Sequence, residues 1–136
     1  MLLKFLGKYR EAGLLFLRVG LGIAFIMHGL PKLSGGINAW KTVGLAIGKI
    51  GIHFYPAFWG FMAAVTETIG GVLLILGAFY RPVCLLLTFT MTIATLQMTA
   101  DAKTRNFNAY SHPLKMAIVF LGLAFIGPGR YSIDKD

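Results

Sequence analysis

Four stretches of the chain, 12–30, 57–77, 83–100 and 110–127, run almost without charge. That pattern leaves few folds open. A bilayer core about 30 Å thick is crossed by roughly 20 apolar residues in a helix, so each stretch can span, and with their connections they use up the 136 residues. Hydrophobic residues make up 57% of the chain and charged ones 13%, with a mean hydropathy of +0.72, well above a soluble domain. Backbone groups in lipid must pair within the protein, and runs without strict alternation do so as helices rather than barrel strands. The expected fold is an all-α integral membrane protein, a four-transmembrane-helix bundle forming a single membrane domain over 1–136. A separate soluble domain does not fit. The first run is long for a signal peptide and lacks a small-residue cleavage site, so it reads as a permanent span.

The connections refine this picture. Residues 78–82 join the second and third spans as a tight antiparallel hairpin, with Pro82 suited to a helix start. The longest connection, 31–56, spaces Trp40, Val43, Ala46, Ile47 and Ile50 at helical intervals with Lys41 and Lys49 on other faces, which predicts a short interfacial helix between the first two spans. Lys4, Lys8, Arg10, Arg81, Arg130 and Lys135 fall on one side of the membrane, and Lys32, Lys41, Lys49, Lys103, Arg105 and Lys115 on the other. The counts tie, so the positive-inside rule assigns no orientation. The net charge of +8 forms no basic stripe, which argues against nucleic acid and for anionic lipid headgroups.

Several chemistries are excluded or disfavoured. Cys84 is the only cysteine, so the chain alone builds no disulfide and no multi-cysteine cluster. Of the histidines, His28 lies in the first span while His53 and His112 are expected in loops, and no pair sits at i, i+4. Neither a haem nor another metal site is expected from that arrangement.

Glu67 is the sharpest anomaly, since residues 57–66 and 68–77 on either side of it hold no other ionisable group. Arg18 lies about three residues from the middle of the first span and Glu67 at the middle of the second, a difference of about one turn between antiparallel helices. Pairing relieves the ~2.5–3.5 kcal/mol that an unpaired charge costs at the centre of a span. The expectation is therefore an Arg18–Glu67 ion pair, either a structural staple or part of a polar site. Gly60, Ala63, Ala64, Gly70, Gly71 and Gly77 give Glu67's helix a small-residue face for close packing or a flat ligand. On the first helix Arg18, Phe25 and Lys32 share a stripe with His28 beside it. Thr88, Thr92, Thr95 and Thr99 form a hydroxyl stripe on the third, expected to act in packing by bonding their own backbone.

Arg18 with Gly22, HGLPKL (28–33), Glu67 with Gly70 and Gly71, LGAFYRP (76–82) and GPGRYSID (127–134) together resemble the DoxX family of small four-helix membrane proteins. In GPGRYSID, Gly127, Pro128 and Gly129 stop the fourth helix and Arg130, Tyr131 and Asp134 sit at the interface. The resemblance implies a multi-pass protein of the bacterial inner membrane, similar to the small membrane subunit of thiosulfate:quinone oxidoreductase or to members tied to oxidative-stress and aromatic-compound responses. Carried over by position, it implies a ligand- or quinone-binding constellation of Arg18, His28, Lys32 and Glu67. One departure is NAYSHPLK (108–115), where many relatives carry an acidic residue.

Two functions follow as expectations. The first is a membrane component of a quinone-linked oxidoreductase. With no flavin or nucleotide fingerprint and no covalent cofactor implied, a soluble or membrane oxidoreductase partner supplies its electrons. The second is a non-enzymatic scaffold, assembly factor or lipophilic-ligand-binding protein, in which Arg18–Glu67 is only a staple. A transporter is disfavoured by the absence of visible repeats unless the chain forms a homo-oligomer.

Overall fold

The structure, a computed structural model, describes residues 2–134. Five α-helices follow one another: α1 (Arg10–Ser34), α2 (Gly36–Gly44), α3 (Pro56–Leu76), α4 (Tyr80–Ala100) and α5 (Phe107–Ile126). A 3-10 turn, Lys4–Tyr9, leads into α1, and another, Leu45–Ile50, follows α2. Helices α1, α3, α4 and α5 are long and apolar enough to cross a bilayer. Their outer faces carry large bare hydrophobes, Phe16 at 80% and Phe125 at 78% exposure among them, surfaces that suit lipid rather than water.

Helix α1 outruns its apolar stretch. It continues through Pro31 to Ser34, whose hydroxyl donates to Leu30 O at 2.9 Å. Lys32 thereby joins the last turn of α1 instead of the connection. Its buried stripe is Leu14, Arg18, Gly22, Phe25 and Gly29, and it lies along α3. Gly22 and Gly71 set the register, because a Cβ on either would strike the other's carbonyl oxygen. Two backbones can approach this closely only where both residues lack a side chain.

From α3 the bundle continues through α4 to α5, each packed on the one before. Among the described residues the backbones of α1 and α5 stay apart, and the two helices meet through Phe25 and Phe120, edge to face at 5.0 Å. The bundle is thus closed between its first and last helices by side chains rather than by close backbone packing. The short helix expected between the first two spans is α2, held against the start of α3 with the Trp40 ring 4.9 Å from that of Phe61.

The closing GPGRYSID segment folds back over one end of the bundle. Ile133 and Asp134 donate their backbone N–H to Leu76 O and Gly77 O, each at 3.0 Å. The Asp134 carboxylate accepts from Phe79 N at 3.1 Å and Tyr80 N at 2.8 Å, capping α4, which has no side-chain cap at its own N-cap residue. A carboxylate there meets both unpaired N–H groups and the positive end of the helix dipole. Asp134→Ala should therefore lower the stability of the detergent-solubilised protein by about 1 kcal/mol, read as a lower melting temperature. An unchanged melt would remove the cap from the account.

Candidate functional site

Glu67 points into the bundle with 2% of its side chain exposed, and its partner is Lys32. The Lys32 ammonium donates to both carboxylate oxygens, at 2.9 and 3.1 Å, while 37% of the lysine side chain remains exposed. The lysine stem reaches inward from the last turn of α1 to a group nearer the membrane middle.

The expected Arg18–Glu67 ion pair is not formed. With Gly22 against Gly71 and Gly29 against Glu67 and Thr68, Arg18 comes level with Leu74 and Ile75, about eight residues and so ~12 Å from Glu67 along α3. Its guanidinium is satisfied there by backbone alone. Nε donates to Leu74 O at 3.0 Å, Nη2 to Ile75 O at 2.7 Å, and Nη1 to Pro128 O at 3.0 Å and Tyr131 O at 2.7 Å. The last carbonyls of a helix have no intrahelical partner and carry the negative end of its dipole. A planar fork of donors suits such a cluster of acceptors. Arg18, 1% exposed, ties α1 to the end of α3 and to the closing segment.

Two cavities flank the Lys32–Glu67 pair, sharing Lys32, Glu67 and Ala94. One, of about 180 Å³, opens among Phe25, His28, Met91, Met98 and His112. The other, of about 310 Å³, has apolar walls that include Ile47, Trp59, Met62, Phe89 and Ile93. Among the described residues the Trp59 indole Nε1 is buried without a hydrogen-bond partner. A further hollow of about 400 Å³ lies at the opposite end, beside Arg10, Glu11, Arg130 and Asp134. Its carboxylates are already engaged by backbone N–H groups.

His112 was expected in a loop, and the structure places it in α5. The Asn106 side chain accepts from Ala109 N at 3.0 Å and starts that helix at Phe107, as an Asn N-cap does. The His112 ring then stands 5.6 Å from that of His28, which lies 6.0 Å from Phe25. His53 is in the connection before α3, away from both cavities. Of the four candidate residues, His28, Lys32 and Glu67 converge and Arg18 does not. His112 and Trp59 join them without having been singled out. His112 sat beside a proline ahead of an apolar run, and an indole N–H lacks a partner only in three dimensions. The hydroxyls of Thr88, Thr92, Thr95 and Thr99 all donate to carbonyls of α4 itself.

The fold defines a small four-span membrane protein with a buried carboxylate between its helices, paired with a partly exposed lysine. The DoxX family model matches residues 13–100, and the chain belongs to the DoxX family. It is 30% identical to "Inner membrane protein YphA" of Escherichia coli, over 95% of this chain and 93% of that protein. It is 31% identical to "Putative oxidoreductase CatD" of Bacillus subtilis, over 87% of this chain and 83% of that one. An uncharacterized protein of Haemophilus influenzae is 29% identical over 96% of this chain. No solved structure matches the chain significantly.

Proposed function

We propose that this protein is a quinone-binding membrane component of an oxidoreductase or redox-stress system in the bacterial inner membrane. The observation that carries the reading is the Lys32–Glu67 pair, a buried carboxylate and a partly exposed ammonium beside an apolar cavity of about 310 Å³. That volume is at the lower end for small-molecule sites. Ionisable groups retained inside a membrane mark ligand or proton sites far more often than chance placement would. The names of two relatives, "Inner membrane protein YphA" and "Putative oxidoreductase CatD", agree with the location and the class.

In this reading the quinone ring enters the apolar cavity with its chain in lipid. Lys32 Nζ turns from Glu67 to donate to one carbonyl oxygen, and the Trp59 Nε1–H is a donor for a second. A partner oxidoreductase supplies two electrons. The two protons of quinol formation reach the ring by way of Glu67, which the departing lysine leaves free to accept and pass them on. The chain's own groups bind, orient and move protons.

The test is binding of short-chain ubiquinone and menaquinone by the purified protein. Wild type should bind, and the folded Lys32→Met and Trp59→Phe variants, each lacking one of the two donors, should each weaken binding about tenfold, the equivalent of ~1.4 kcal/mol. Unchanged binding in both variants would reduce the ion pair to a staple and sink the site.

A further inference from the structure

The smaller cavity has a chemistry that the quinone reading does not use. His28 on α1 and His112 on α5, both exposed, bring their rings to 5.6 Å, and among the described residues no hydrogen bond is formed by either imidazole. Met91 and Met98, seven residues apart and so on one face of α4, line the same cavity. The short 101–106 connection brings α4 back as α5, which places Met98 within about one turn of His112 in depth. Two imidazoles and a thioether thus line one cavity from three helices.

We infer that His28, His112 and Met98 form a copper(I) site at this opening. A metal bonded to one nitrogen of each ring at ~2.0 Å lies about 3.1 Å from each ring centre, so centroids 5.6 Å apart subtend roughly 125° at the metal. That angle is close to trigonal and leaves a third position for a thioether. Zinc prefers four ligands or three and a water, drawn from His, Cys, Asp and Glu. Among the described residues no three of those types gather. Thioether sulfur is a soft ligand that selects copper(I). Charge points the same way: the Lys32 ammonium lines this cavity too, and its repulsion of a divalent cation is twice that of a monovalent one. Glu67 neutralises most of what remains.

The site is separate from the proposed quinone cavity across the Lys32–Glu67 pair, and it stands without that reading. The purified protein would be titrated with copper(I), held reduced against a chromophoric copper(I) chelator, with zinc(II) in parallel. One copper(I) per chain is expected, and X-ray absorption should show two nitrogen scatterers and one sulfur. His28→Ala and His112→Ala should each weaken copper(I) binding at least about 10- to 100-fold, since even the loss of an outer-shell partner costs that much. Met98→Leu, close in volume and therefore well tolerated in packing, should remove the sulfur scatterer. His53→Ala should change nothing. Failure of the folded wild type to retain copper(I), zinc(II) bound as tightly, or an unaltered metal shell in Met98→Leu would each overturn the assignment. If a histidine variant does not fold, the wild-type absorption spectrum still decides.

Discussion

Arg18→Leu is expected to destabilise the protein by about 3–5 kcal/mol: each of the four hydrogen bonds it loses is worth ~1.5–3 kcal/mol from a charged group, but bonds made by one side chain add to less than their sum. These bonds join three separate parts of the chain, α1, the end of α3 and the closing segment, so their loss frees the cap as well as the helix pair. Relief of the cost of placing an arginine in lipid does not offset this, because α1 carries the residue across the membrane whether or not it is docked. Arg18→Lys should recover less than half of the loss. An ammonium is a point donor and cannot serve carbonyls on both sides as the flat guanidinium does. Melting of the three proteins in one detergent checks both statements, and a wild-type melt for Arg18→Leu would refute the clamp.

Lys32→Met should be the second most damaging change, and worse than Glu67→Gln. Removing the lysine leaves a carboxylate at 2% exposure without its partner, a cost of about 2.5–3.5 kcal/mol for an unpaired acidic group inside a membrane helix. Removing the charge from Glu67 leaves a lysine that is already 37% exposed and can turn to the surface, so the penalty should stay under about 1 kcal/mol. The double variant, Lys32→Met with Glu67→Gln, should then be more stable than Lys32→Met alone. A thermal double-mutant cycle reads the coupling directly. Equal effects of the two single changes would show that burial does not divide the pair this way.

These two predictions rest on a partnership that the sequence placed wrongly. Depth counted from the ends of the apolar runs put Arg18 and Glu67 about one turn apart, but those runs do not mark the ends of the helices. α1 extends from Arg10 through Pro31 to Ser34, and its register on α3 is fixed by Gly22 against Gly71. That contact carries Arg18 towards the end of α3 and brings Lys32 over Glu67. A search for charge partners is also blind to backbone carbonyls, and four of them satisfy Arg18. The role of Asp134 was hidden in the same way. Its residue type is legible, yet the N–H groups it caps lie 55 and 54 residues away.

What the sequence determined by itself is the architecture: four spans, the short helix between the first two, and the identity of the buried charges. Hydropathy acts locally, and the thickness of a bilayer converts the length of an apolar run into a crossing. The family pattern was legible for a related reason, since its motifs are short and ordered along the chain. Only the tertiary structure decided who pairs with whom, that His112 faces His28, and that Lys32 and Glu67 stand between two cavities. Those outcomes depend on how far one helix slides along another, and that slide is set by backbone contact between small residues. A shift of a single turn, about 5.4 Å, exchanges one partner for another without changing any local property of the chain.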